Sequence, residues 1–105
     1  MKGLKIDQAQ VNKPNLASDY NMIGELYLAM DNLTEAEKFF NQALLISREI
    51  SVSIELAEAY YNLGSLYKKR NQKNKSKEYF RQAQEIYYSI DPSRYQEVKN
   101  ELMAF

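Results

Sequence analysis

The sequence predicts an all-α fold of antiparallel helix hairpins that stack into a repeat array. Apolar residues recur at helical spacing through most of the 105 residues, and no segment shows the sustained apolar–polar alternation that predicts a strand. The chain also matches itself when it is shifted by 40 residues. A repeat of this length is typical of solenoid proteins, in which neighbouring units bury each other's apolar faces.

The composition excludes several classes of function. The chain contains no Cys and no His, so it cannot build the common zinc sites or use a thiol or imidazole catalyst. It has no apolar run of about 18 residues that could span a membrane, and residues 1–10 lack the apolar core of a signal peptide. We therefore expect a cytoplasmic, non-enzymatic protein that has no cofactor or metal and no membrane partner.

The internal match falls mostly on apolar, aromatic and small residues, which are the ones that a packed core constrains. The identical pairs include Leu16 and Leu56, Tyr20 and Tyr60, Gly24 and Gly64, Leu26 and Leu66, Tyr27 and Tyr67, Phe40 and Phe80, and Ala43 and Ala83. The match indicates two structural units of 40 residues each.

Each unit is predicted to contain two helices. One face of the first helix carries Leu16, Tyr20, Ile23 and Tyr27. The pattern breaks at Asp31 and Asn32, and Thr34 with Glu37 three residues later is a capping-box pattern that predicts the start of the second helix. The second unit repeats this arrangement around a polar turn at residues 71–74.

Two glycines lie inside the predicted first helices at the same phase of the repeat. Gly24 and Gly64 each cost about 1 kcal/mol relative to Ala in a helix interior. Their recurrence predicts that the second helix of each unit approaches closely, with Ala43 and Ala83 as the small residues that face them.

We expect one domain over residues 1–105. Its predicted parts are the end of a preceding helix at 1–10, a first repeat at 14–51, a second repeat at 54–90 and a capping helix at 92–104. The capping helix places Tyr95, Val98 and Leu102 on one face, and Arg94, Lys99 and Glu101 are expected on its exposed face.

The pattern Tyr20-x2-Ile23-Gly24-x2-Tyr27, followed by Ala36-x3-Phe40 and Ala43, resembles the tetratricopeptide repeat signature, and residues 60–83 repeat it. The resemblance covers roughly residues 16–90 and implies a superhelical α-solenoid. The signature repeat is about 34 residues long, so the longer period resembles the branch that includes kinesin light chains and the Leu-Gly-Asn-type adaptors. Members of that branch bind peptides or extended protein segments in a concave groove.

The resemblance also implies which residues line that groove. They are Ser18, Asn21, Met22, Glu25, Leu28 and Ala29 in the first unit, and Glu58, Tyr61, Asn62, Ser65, Lys68 and Lys69 in the second. Asn amides can donate to and accept from the backbone of a bound peptide, and the two lysines offer charge for a carboxylate.

A second candidate is a basic patch in residues 68–81, which carries Lys68, Lys69, Arg70, Lys73, Lys75, Lys77 and Arg81 against one acid, Glu78. It is interpreted either as a solvated turn or as a surface for an anion or an acidic partner. RNA is the weaker alternative for this patch, because the repeat phase assigns Phe80 to the core, so its ring is not a free stacking platform. Nucleic acid is therefore not the expected partner.

The alternative to groove binding is a structural or self-associating segment of a longer scaffold that has no dedicated peptide ligand. Residues 1–67 carry a net charge of −4 and residues 68–105 one of +4, although the whole chain is neutral. This polarity predicts head-to-tail contact between copies through the exposed ends of the array, which raised salt should weaken.

Overall fold

The computed structural model describes residues 13–50 and 53–105. These residues form five α-helices and no strand, which confirms the predicted all-α fold. The helices are α1 (Lys13–Ala29), α2 (Leu33–Ile50), α3 (Ser53–Lys69), α4 (Lys73–Ile90) and α5 (Pro92–Met103). Residues 1–10, which were expected to end a preceding helix, lie outside the described part of the chain.

The two hairpins, α1–α2 and α3–α4, repeat each other's backbone. Each reverses direction at a residue in the left-handed region, Asp31 with φ 64° and Asn71 with φ 63°. Asp and Asn are the non-glycine residues that adopt this conformation most readily. The polar break in the sequence therefore marks the position at which each hairpin turns.

The start of α2 differs from the sequence prediction. The helix begins at Leu33, and the Oδ1 atom of Asn32 accepts a hydrogen bond from the backbone N–H of Glu35 at 3.4 Å. The predicted capping box of Thr34 and Glu37 is therefore wrong. The side chain of Glu37 instead extends toward the second hairpin, where its carboxylate accepts hydrogen bonds from the hydroxyl of Tyr67 and the guanidinium of Arg70.

The glycines mark the closest approach within each hairpin, as predicted. A Cβ atom added to Gly24 would lie 2.5 Å from the ring of Phe40, and one added to Gly64 would lie 2.7 Å from the ring of Phe80. The neighbour that requires glycine is therefore a phenylalanine ring and not the alanine that the sequence suggested. Both rings are fully buried, so they have little room to move away.

The last helix closes the core on one side and exposes polar groups on the other. The Oδ1 atom of Asp91 caps α5 by accepting from the backbone N–H of Arg94 at 3.2 Å. Val98 is fully buried, and Tyr95 and Leu102 pack against the core. The exposed side carries Gln96, Lys99 and Asn100.

Two side chains of α5 depart from the expected exposed face. Arg94 and Glu101 are half-buried, whereas Lys99 is exposed as expected. The reason is that both half-buried side chains reach back to α3 and α4. Arg94 lies over the rings of Tyr61 and Tyr87, and Glu101 binds Lys68.

The first helices of the two hairpins, α1 and α3, contact each other as well as their own hairpin partners. This contact places them side by side, and we call the surface that carries Asn21, Asn62, Tyr61 and Ser65 the inner face. Within the described ranges, no helix is long and apolar enough to cross a membrane.

Candidate functional site

A row of polar side chains joins α1 to α3 on the inner face. The Nδ2 atom of Asn62 donates to Oδ1 of Asn21 at 3.2 Å and to Oε2 of Glu25 at 3.3 Å. The Nδ2 atom of Asn21 donates to the carbonyl oxygen of Glu55 at 3.3 Å. Asn21 and Asn62 are only 1% and 5% exposed. The two amides expected to meet a bound peptide therefore also hold neighbouring helices together.

An aromatic and cationic cluster joins α3 to α5 on the same face. The guanidinium carbon of Arg94 lies 4.8 Å from the centre of the Tyr61 ring and 5.3 Å from that of Tyr87. The ring of Tyr61 also packs against Phe80, with 5.4 Å between centroids. Cation–π contacts contribute about 0.5–1 kcal/mol when exposed and about 2 when desolvated. This cluster fixes the orientation of Tyr61.

The two lysines expected to bind a carboxylate already lie beside carboxylates of the same chain. The Nζ atom of Lys68 is 2.9 Å from Oε1 of Glu101, and that of Lys69 is 3.5 Å from Oδ1 of Asp31. Both lysine side chains are 48% exposed, so each pair contributes about 0–1 kcal/mol. A ligand carboxylate would therefore have to compete with Glu101 for Lys68 and with Asp31 for Lys69.

The remaining predicted groove residues occupy different environments. Ser65 is half-buried on α3, one turn after Tyr61 and about one turn before Lys68, so it lies on the same stripe of that helix. Leu28 is half-buried and packs against the core. Met22 is 57% exposed and belongs to an apolar stripe on α1.

Acidic side chains dominate the part of the inner face between α1 and α3. Burial raises the pKa of Glu58, and the nearby carboxylates of Glu25 and Glu55 raise it further, whereas Arg94 opposes the shift. The positive charge of Arg94 therefore does not offset the combined effect of burial and the two neighbouring carboxylates on Glu58. This part of the face favours a cationic group over an anionic one.

The basic patch does not form one surface. Arg70 pairs with Glu37 at 2.8 Å, and Lys75 lies 4.8 Å from the centre of the Tyr67 ring. Burial and the adjoining carboxylate raise the pKa of Tyr67 to about 12. Burial alone would raise the pKa of Glu37, but hydrogen bonds from Tyr67 and Arg70 outweigh it and hold that pKa below its usual value.

The other basic side chains point elsewhere. Lys68 and Lys77 lie 5.7 and 5.5 Å from the centre of the Phe105 ring, on the side of α5. Lys73 and Arg81 are exposed to solvent. The charge run in the sequence is thus divided among at least three environments. Among the residues that the structure describes, no group of His, Cys, Asp or Glu could hold a metal ion.

Comparison with known proteins identifies the repeat. A family model for the tetratricopeptide repeat matches residues 15–89. The chain is 30% identical over 84 residues to "Protein HGV2" from Halocynthia roretzi, an alignment that covers 78% of this chain and 16% of that protein. It is 31% identical over 81 residues to "Response regulator aspartate phosphatase E" from Bacillus subtilis (strain 168), covering 77% of this chain and 21% of that protein.

The chain thus spans less than a quarter of the length of either relative. No solved structure matches it significantly. The family match covers both hairpins, including the two glycines and the phenylalanine rings that pack on them. The protein therefore belongs to the tetratricopeptide repeat family.

Proposed function

We propose that this chain is a non-enzymatic protein–protein interaction module that binds an extended peptide or protein segment on the inner face of α1, α3 and α5. The observation that carries the proposal is the continuous polar row across that face. Asn62 joins α3 to α1, and Arg94 over Tyr61 joins α5 to α3. Membership of a family of interaction modules that are typically non-enzymatic supports the same function.

The bound segment is expected to carry a basic side chain. Glu25, Glu55 and Glu58 lie close enough together to influence the ionisation of Glu58, and the nearby cation, Arg94, is already paired with Glu97 at 2.7 Å. A Lys or Arg side chain of a ligand would relieve this excess of negative charge. The two groove lysines, in contrast, already have carboxylate neighbours.

The segment would also find hydrogen-bond and aromatic surface. Both hydrogen bonds that the Asn62 side chain makes within the described residues use its Nδ2 atom, so its Oδ1 atom is left to accept from a backbone N–H. Tyr61 presents a ring that is already held by Arg94 and Phe80, so ordering it on binding costs little entropy.

We also assign the repeats to the long-period branch of the family. The supporting observation is that α3 and α4 begin 40 residues after α1 and α2, respectively. Cytoplasmic location and a scaffold role stay predictions.

A selection from a random-peptide display library, with the chain as bait, tests groove binding. Peptides that bind the wild-type chain are measured against Ser65→Arg, which fills the stripe beside Tyr61, and against Ser89→Arg, a matched change at an exposed site on α4. We expect at least a tenfold loss of affinity for the first variant and little change for the second. Equal affinity for both variants would refute the groove assignment.

The preference for basic segments has its own test. Peptides selected for binding should be enriched in Lys and Arg, and Glu58→Gln should weaken their binding, with Glu85→Gln on α4 as the exposed control. Raised salt should weaken the wild-type complex, because it screens the attraction between opposite charges. Enrichment of acidic peptides would contradict the proposed preference without affecting the location of the groove.

A further inference from the structure

Within the described residues, an apolar stripe on α1 is exposed, and the repeat counterpart of its central leucine is buried on α3. Leu26 and Leu66 occupy the same position of the 40-residue repeat, and they are 63% and 0% exposed. In the second unit, both α1 and α2 pack against α3, and Leu66 belongs to the buried core. The uncovered surface on α1 therefore continues the interface between the two hairpins by one repeat.

The stripe consists of Met22, Leu26 and Met30, which are spaced four residues apart and therefore lie on one side of the helix. Met22 and Met30 are 57% and 65% exposed. A depression of about 430 Å³ lies beside them, lined by Ile23, Leu26, Tyr27, Ala29 and Met30. Large apolar side chains grouped in this way mark interaction sites on soluble proteins.

We propose that a second copy of this chain covers the stripe, with the two α1 helices packed antiparallel about a two-fold axis beside Leu26. Met22 and Met30 are equally far from Leu26 along the helix, so the stripe is complementary to itself in this arrangement. Leu26 meets the partner's Leu26, and Met22 meets the partner's Met30.

The charges agree with this register. Glu25 lies opposite the partner's Tyr27, so no carboxylate within the paired part of α1 faces another carboxylate. Among residues 15–37 there is no basic side chain, so the two copies repel each other weakly at a distance. Raised salt screens that repulsion and strengthens the dimer, whereas a head-to-tail contact between opposite charges would weaken.

The far end of the array is a poor partner for the stripe. The exposed side of α5 carries Gln96, Lys99 and Asn100 beside the exposed Met103. Gln96 donates a hydrogen bond to Asn100, but packing the methionines on this side would still remove the ammonium group of Lys99 from water. The two-fold arrangement is therefore favoured over the head-to-tail contact that the charge pattern suggests. A stripe this small falls short of the roughly 20–30 residues a side of a standard interface, so the dimer is weak and forms at raised protein concentration.

Single-cysteine variants test the arrangement, because the chain has no cysteine of its own. Mild oxidation of Leu26→Cys should give a disulfide-linked dimer on a non-reducing gel, at least tenfold faster than Met103→Cys, whose site is 74% exposed on α5. A mixture of the two variants should give little mixed dimer. Rapid linkage between the two different sites would show head-to-tail contact and overturn the proposal.

Sedimentation equilibrium provides the second measurement. The average mass of the wild-type chain should rise with concentration, and Leu26→Lys should stay monomeric while its circular dichroism and melting temperature are unchanged. A monomeric wild-type chain would overturn the proposal. Labelling of the Leu26→Cys thiol with a maleimide would then show whether residues 1–12 cover the stripe, through faster labelling when they are removed, or whether it is open to a different protein.

The dimer and the groove are tested separately. Leu26→Lys leaves the inner-face side chains of α3 and α5 unchanged, so it should bind selected peptides as the wild type does. Ser65→Arg should lose peptide binding and still dimerise.

Discussion

The side-chain amide of Asn62 donates to Oδ1 of Asn21 at 3.2 Å, and this bond joins α3 to α1 at the middle of the inner face. Both residues are buried, and Asn62 also donates to Glu25. The position that the family resemblance assigns to ligand binding thus also fixes the spacing of the repeats. Substitutions there change stability and binding together, which is why the groove is better tested at Ser65.

Asn62→Ala should lower the free energy of unfolding by about 1–3 kcal/mol, because it leaves the buried Oδ1 of Asn21 without its donor. Urea denaturation measures the loss, with Asn41→Ala at an exposed site on α2 as the control. Equal stabilities of the two variants would mean that the buried bond is replaced by water at no cost.

Gly64→Ala should destabilise the chain, because the added Cβ would lie 2.7 Å from the buried ring of Phe80. Overpacking costs about 1–3 kcal/mol, and the better helix propensity of Ala offsets about 1 kcal/mol of this. Thermal unfolding of Gly64→Ala, Phe80→Leu and the double variant should show that the second change removes the clash. Ser65→Ala is the control at the next position, and additive effects of the two changes would contradict the clash.

The stability contribution of Glu37 should disappear in acid. The pKa of Glu37 in the folded chain is below its usual value near 4.5. Its ionised form therefore stabilises the fold at a pH above 4.5, and this stabilisation is lost as the pH falls through the lower pKa of the folded chain. Unfolding at pH 7 should therefore show Glu37→Gln less stable than wild type, and the difference should vanish at low pH. Glu35→Gln, which removes a surface pair with Lys38, should have little effect at either pH. A difference that persists unchanged in acid would contradict the assignment.

Glu58→Gln should have the opposite effect on the free energy of unfolding. Because burial and neighbouring carboxylates raise the pKa of Glu58, its charge destabilises the folded chain at neutral pH. Removing the charge should stabilise the chain at pH 7, and the advantage should shrink as the pH falls and wild-type Glu58 becomes protonated. Urea titrations at several pH values measure this. A variant less stable than wild type at pH 7 would show that the pairing with Arg94 dominates.

Much of the fold could be predicted from local patterns. The sequence predicted the 40-residue repeat, the turns at Asp31 and Asn71, and the close approach at Gly24 and Gly64. Each of these features depends on residues that are near each other in sequence or that occupy the same position in the two repeats. The neighbour of the glycines was misassigned, because apolar spacing places Phe40 and Ala43 on the same side of α2 and does not say which of them meets α1.

The site was less predictable than the fold. Family resemblance selected Asn62 and Lys68, but their partners, Asn21 and Glu101, lie 41 and 33 residues away, and only the packing of separate helices brings them together. Arg94 was expected in solvent, since its place on α5 does not reveal the rings of Tyr61 and Tyr87 on other helices. The charges of residues that are distant in sequence do not indicate which of them will contact each other in the fold.

Mapping of backbone amide shifts by NMR, as a selected peptide is added to the labelled chain, tests the central claim most directly. If the inner face binds an extended segment, the largest shifts should fall on Glu25, Tyr61, Ser65 and Arg94, with little change at Arg81 and Glu85 on α4. Largest shifts on the exposed faces of α2 and α4, with the inner face unchanged, would contradict the account.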